Sequence, residues 1–183
     1  MATSENLSLE LDIPEGVEVS VSGSTVSAKG PKGALSRTFQ SHALKITVKE
    51  GKLKVASDVN NKIQRAIAGT IYSHIASMVE GVNKGFTYKL KVVYSHFPMT
   101  LKAQGSELVI DNFLGEHYAR KSAIHEGVKV EVKGQIVTVS GIDRAAVGQT
   151  AANLEQATKI LNRDHRVFQD GVYLIDRNGV PVK

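Results

Sequence analysis

The sequence has no cysteine and no tryptophan, and only 4 prolines among 183 residues. Without thiols there are no disulfides and no thiolate metal sites, which predicts a reducing, cytoplasmic setting. Aromatic residues make up 5% of the chain, so its cores have to be built from Val, Ile, Leu and Ala. No apolar run approaches the ~20 residues of a membrane span. Residues 1–6 lack the basic and apolar stretches of a signal peptide. The six histidines, at 42, 74, 96, 117, 125 and 165, show neither His-x-x-x-His nor Glu-x-x-His spacing, so no metal is predicted. Nucleophile elbow, dinucleotide fingerprint and phosphate loop are all missing. These absences predict a protein that is not an enzyme, with no cofactor, no small-molecule substrate and no membrane partner.

What is present is a repeated pattern. Residues 13–30 and 124–141, 111 positions apart, are identical at 9 of 18 positions. One repeat at so long a spacing predicts a duplicated domain rather than a solenoid. Val17, Val19 and Val21 alternate with polar residues, as do Val128, Val130 and Val132. Period two with β-branched residues on one side marks a half-buried strand. Gly23-Ser24 and Gly134-Gln135 suit two-residue hairpin turns with glycine first. Gly30 and Gly141 end the second strands. The pattern predicts that Val19 corresponds to Val130 and Val26 to Val137, with Val130 on a covered face and Lys129 on the open one.

The remaining elements obey the same logic. Leu7, Leu9 and Leu11 alternate in an opening strand, and short strands are predicted at residues 34–39, 44–49 and 52–56, the last two joined through Glu50-Gly51. Ile63, Ile67, Ile71, Ile75 and Met78 recur at helical spacing, with Asp58 as the predicted N-cap and Gly81 past the end. A junction at residues 82–85 divides the chain into domains 1–82 and 83–183. Phe86, Tyr88, Leu90 and Val92 open the second domain as a strand, succeeded by strands at 100–103 and 107–110 and an irregular stretch. Asp143 then caps a helix whose inward face holds Val147, Thr150, Ala151, Leu154, Thr158 and Leu161. Asn178-Gly179 predicts a closing type I′ hairpin with Pro181 on an edge strand. The fold class is α+β: two tandem duplicated domains, each a small, mainly antiparallel sheet with one helix packed on a face. In the second half the helix comes directly after the repeated hairpin, and in the first almost 30 residues later. Sequence leaves the reconciling strand order open.

The net charge is +5. Residues 1–82 carry 9 basic and 8 acidic groups, and residues 83–183 carry 14 and 10. A basic second half fits a polyanionic partner; an ordinary basic soluble protein fits it too. Two stretches bring cations and glycines together, residues 112–121 with Gly115, Arg120 and Lys121 and residues 140–144 with Gly141 and Arg144; a third, residues 163–166, holds Arg163 and Arg166. Arginine beside backbone amides is the chemistry of phosphate and sugar contacts. The alternative function is a free-standing module that binds protein through an exposed sheet edge, its positive charge incidental.

Three motifs carry a resemblance. Residues 148–155 read Gly-Gln-Thr-Ala-Ala-Asn-Leu-Glu, residues 112–116 read Asn-Phe-Leu-Gly-Glu, and residues 166–173 read Arg-Val-Phe-Gln-Asp-Gly-Val-Tyr. Together they resemble the large-subunit ribosomal protein L-six family, across essentially the whole chain. The lysine- and glycine-rich tail of the bacterial form is absent, so the archaeal and eukaryotic form is the nearer one. The resemblance implies a structural constituent of the large ribosomal subunit in the cytoplasm. It implies rRNA binding near the sarcin–ricin loop and the translation-factor landing site, with neighbouring ribosomal proteins as further partners. It implies that the C-terminal domain is the main RNA-binding part, through Arg120, Lys121, Arg144, Arg163, Arg166, Gly115 and Gly141. Family members commonly carry proline before the arginine of the Asn112 loop, where this chain has Ala119.

Overall fold

The first strand pairs with the sixth, and that pairing decides the topology. The computed structural model describes residues 7–39, 44–49, 51–57, 61–95, 97–161, 163–164 and 166–182. In the first unit, β1 (Leu7–Asp12) leads to β2 (Glu18–Ser22), β3 (Thr25–Gly30), β4 (Gly33–Thr38), β5 (Leu44–Lys49), β6 (Lys52–Ser57) and α1 (Lys62–Asn83). Two antiparallel three-stranded sheets result, ordered β2-β3-β4 and β1-β6-β5. Alternation buries Val26 and Ala28 on β3 and Leu53 and Val55 on β6. Helix α1 packs on β3 and β6, and buries Ala68, Ile71, Ile75, Met78, Val79 and Val82.

The ends of α1 differ from expectation. The predicted cap Asp58 lies outside the described residues, as does Glu50 of the predicted turn. The N-cap is Asn61, which makes no side-chain capping bond. The apolar stripe reaches the core only from Ala68 onward, since Ile63 is 64% exposed. Gly81 is buried inside the helix. The helix runs on because Val82 completes the buried stripe. Gly85, at φ +73, closes it, with its N–H donating to Gly81 O at 2.9 Å, the single-bond αL cap.

The second unit holds β7 (Phe86–Val93), β8 (Thr100–Gln104), β9 (Glu107–Asp111), a 3-10 turn (Phe113–Gly115) and β10 (Arg120–Ala123). It continues with β11 (Val128–Lys133), β12 (Ile136–Gly141), α2 (Arg144–Ala157), β13 (Gly171–Arg177) and β14 (Val180–Pro181). Its sheets are ordered β10-β9-β8 and β11-β12-β7-β13-β14. The core joins Tyr88, Leu90, Leu108, Ile110, Val137, Val139 and Leu154. Asp143 caps α2 as predicted, its carboxylate accepting from Ala145 N. Leu161 falls beyond the helix and is exposed. Asn178 and Gly179 both have positive φ, the type I′ turn that Asn-Gly favours, and Pro181 sits on the edge strand β14.

The two units share one plan, but not in the register that the 111-residue spacing predicts. Unit 1 reads β2-β3-β4, then β5-β6-β1, then a helix. Unit 2 reads β8-β9-β10, then β11-β12-β7, then a helix. The counterpart of β11-β12 is therefore β5-β6, not β2-β3. Leu53 pairs with Leu11 as Val137 pairs with Leu90, so Leu53 and Val55 correspond to Val137 and Val139. Val26 and Ala28 correspond in turn to Leu108 and Ile110. The predicted equivalences of Val19 with Val130 and of Val26 with Val137 are wrong. Both hairpins need alternating valines and a first turn residue at φ near +60, which Gly23 (+62) and Gly134 (+59) supply. Shared local demands wrote similar sequence into non-equivalent places. Val130, moreover, lies on the edge strand β11 and is only half-buried.

Contacts divide the chain into Met1–Gly85 and Phe86–Lys183. Lys84 thereby joins unit 1, which then has 10 basic against 8 acidic groups, while unit 2 has 13 against 10. With net charges of +2 and +3, the units barely differ in total, and only the placement of charge can set them apart.

Candidate nucleic-acid interface

Sequence order alone does not explain why residues 112–121 fold as they do. Asn112 (φ 60) and Leu114 (φ 50) are left-handed, and Gly115 comes next at φ 76. Left-handed backbone suits glycine and asparagine but strains a leucine. Several contacts hold it. Phe113 is fully buried. Asn112 Nδ2 donates to Pro98 O at 3.1 Å, and Glu116 N donates to Phe113 O at 2.9 Å.

Arg120, at the start of β10, is the centre of this arrangement. Its Nε donates to Glu116 Oε2 at 2.8 Å and its Nη2 to Glu116 Oε1 at 2.6 Å. Its Nη1 donates to Ala157 O at 2.9 Å and to Lys159 O at 3.0 Å. The guanidinium also lies 4.2 Å from the centre of the Phe113 ring. Four of its five donor hydrogens are thus taken up within the protein. A cation at these carbonyls also suits the negative end of α2. Glu116 is held below the usual carboxylate range, first by the hydrogen bond from Arg120, against some desolvation, and further by the charges of Arg120 and Arg163.

The chain leaving α2 runs beside this loop. Thr158 Oγ1 donates toward Leu154 O and accepts from Val172 N at 3.0 Å. Asp164 Oδ1 accepts from Arg166 N at 2.9 Å, and Asp164 O accepts from Phe168 N at 3.0 Å. Arg163 stacks over Phe168 with 4.9 Å to the ring centre. A cavity of ≈ 320 Å³ lies between the end of α2 and β13, lined by Glu155, Thr158 and Ile160 among others. Its polar groups serve the fold: Glu155 Oε1 accepts from Leu174 N at 2.8 Å.

The predicted site residues do not form one patch. Arg120 binds Glu116 directly, the charge of Arg163 acts on the same carboxylate, and Arg166 shares a turn with Arg163; Gly115 lies in the adjoining loop, against the Phe97 ring. Lys121 points from β10 to the opposite side and pairs with Glu107 at 3.0 Å. Arg144 opens α2, a helix of 14 residues, and so stands about 20 Å from its far end. Gly141 is a packing glycine: a Cβ there would come within 2.8 Å of Val147 Cγ2 and 3.2 Å of Gly127 O. Sequence reasoning missed two residues. One is Glu116, whose spacing of four before Arg120 was the available signal. The other is Lys159, exposed and without an ion pair among the described residues, marked only by its place just beyond a helix end.

The family model described as "Ribosomal protein L6" matches residues 13–85 and 97–171. The first segment spans β2 to α1 and the second β8 to α2, the correspondence that strand order gives. The chain is 48% identical over 167 residues to "Large ribosomal subunit protein uL6" of Methanosarcina mazei, covering 91% of this chain and 95% of the relative. It is 51% identical over 168 residues to the protein of the same name from Methanosphaera stadtmanae, covering 91% of each.

Proposed function

The chain belongs to the ribosomal protein L6 family, in its archaeal-type form, and from that premise we propose that it binds large-subunit rRNA mainly through unit 2, beside the sarcin–ricin loop and the landing site of translation factors. The family is structural rather than catalytic, and this chain is a constituent of the large ribosomal subunit. Its remaining partners in this reading are neighbouring ribosomal proteins, in cytoplasmic ribosomes.

The observation that carries the choice of unit is the surface where residues 112–121 meet the chain after α2. There Lys159, Arg163 and Arg166 are exposed next to a loop whose shape Arg120 fixes. Exposed cations on a preset backbone suit phosphate and sugar contacts, which hold a protein in register without reading sequence. In this reading Arg163 and Arg166 touch the RNA, and Arg144 and Lys121 add contacts at its margins. Arg120, Gly115 and Gly141 set the shape.

Binding of the full-length protein to purified large-subunit rRNA across a salt series tests this. Arg163→Ala and Arg166→Ala should each flatten the slope of log affinity against log salt by up to about one unit. Lys52→Ala and Lys54→Ala should change little, since these lysines pair with Asp12 and Glu10 at 3.2 Å. Unchanged slopes for all unit 2 variants would refute the assignment. Salt-insensitive binding would favour a sheet-edge protein module.

A further inference from the structure

We propose that the loop at residues 112–118 is a rigid platform on which Tyr118 stacks an unpaired nucleobase. The proposal rests on the rRNA-binding function and adds a subsite to it. The starting observation is strain: two non-glycine residues in three, Asn112 and Leu114, hold left-handed backbone. Such conformations persist where the surroundings over-determine them, and they gather at binding sites. Buried Phe113, the Asn112 bond to Pro98 O and the Arg120 clamp on Glu116 provide that support. What the held loop shows to solvent is Asn112 and the run Gly115, Glu116, His117, Tyr118 and Ala119.

Tyr118 is 88% exposed, more than any other large apolar side chain among the described residues. Nearly the whole ring is therefore free, on a loop anchored at Asn112, Phe113 and Glu116, so binding a planar partner costs less further ordering. The chemistry around it selects the partner. Lys159, whose carbonyl binds Arg120, and Arg163, whose charge acts on Glu116, both adjoin the loop. An exposed ring on a loop that a cationic segment adjoins matches a nucleotide: the base stacks and the phosphates meet the charges. Stacking needs a free base face, so the ligand is single-stranded RNA, a loop or a bulge, rather than a paired stem.

The test uses the missing tryptophan. Tyr118→Trp gives the full-length protein its only indole. Titration with oligoadenylate, with an RNA duplex of the same length and with purified large-subunit rRNA should quench its fluorescence for the first and third but not for the duplex. Tyr118→Ala should weaken rRNA binding about tenfold with an unchanged salt slope. Tyr118→Phe should bind like the parent. If rRNA binds but leaves the indole unquenched, or if Tyr118→Ala binds like the parent, the subsite is overturned and the rRNA-binding function stands. If the parent protein fails to bind rRNA at all, both fall.

Discussion

Strand β7 in unit 2 lies between β12 and β13, whereas its counterpart β1 in unit 1 pairs with β6 alone among the described residues. The difference arises in the chain beyond each helix. Unit 1 ends at Gly85. In unit 2 the chain leaves α2, passes the Arg120 clamp and returns as β13 along β7. That return segment carries Arg163 and Arg166, and it gives Arg120 the carbonyl of Lys159 to bind. The residue at the matching place in unit 1 is Leu35, opposite Ala28 as Arg120 is opposite Ile110. The candidate interface is therefore built on what unit 2 adds to the shared plan. A duplicated fold supplied the support, and the added strand freed a surface to specialise.

The correspondence can be broken most severely in the cores. Val55→Asp and Val139→Asp place a carboxylate at equivalent, fully buried positions. Each should cost roughly 3–5 kcal/mol and unfold its own unit only, as amide exchange in each unit would show. Val130→Asp, on the half-buried edge strand, should cost only about 1–2 kcal/mol. Equal damage from Val130 and Val139 would show that β11 is a covered strand rather than an open edge.

Arg120→Met comes next. It leaves the Glu116 carboxylate and two carbonyls without their donor, and a loss of about 2–3 kcal/mol from unit 2 is expected in denaturant melts. Leu35→Met, its counterpart, should be nearly silent.

Gly141→Ala should cost about 1–2 kcal/mol in the same melts by pressing Val147 away from the end of β12.

The smallest effect is a pH dependence confined to unit 2. The folded-state value of Glu116 lies below its ordinary 4.5, so the ionised group adds stability above that pH. This contribution fades as pH falls from 4.5 through the lowered value, when the carboxylate takes up a proton and loses the Arg120 bonds. Thermal melts of Glu116→Gln should show a shallower acid-side slope than the parent, the remainder coming from Glu131, whose value the bonds from Lys129 and Lys133 also lower.

Strands were the most legible part of the sequence, because alternation such as that of Phe86, Tyr88, Leu90 and Val92 is set by local geometry. The Asp143 cap and the Asn178-Gly179 turn were legible for the same reason. Which hairpin corresponds to which was not, since the hydrogen bonds from β1 to β6 and from β7 to β12 join residues far apart in the chain. The end of α1 was misread because Gly81 and Gly85 satisfy the same local rule, and only burial of Val82 separates them. The cations were legible as residues but not as roles. Nothing in the order of amino acids says that Arg120 turns inward to Ala157 and Lys159 while Arg163 stays outside. Those fates depend on where α2 ends in space.

The pairing of first strand with sixth also governs how each unit assembles. Hairpins such as β2-β3 and β5-β6 can close early, as local events. The β1-β6-β5 sheet cannot form until nearly the whole unit has left the ribosome that makes it, and its cover α1 emerges last. Non-local closure of this kind slows folding and leaves apolar strand faces uncovered meanwhile. Unit 1 has all of its strands and its helix before β7 is synthesised, so it can finish alone. Unit 2 must wait further, for β13 to take its place along β7, and the surface that holds Arg163 is among the last parts of the molecule to exist.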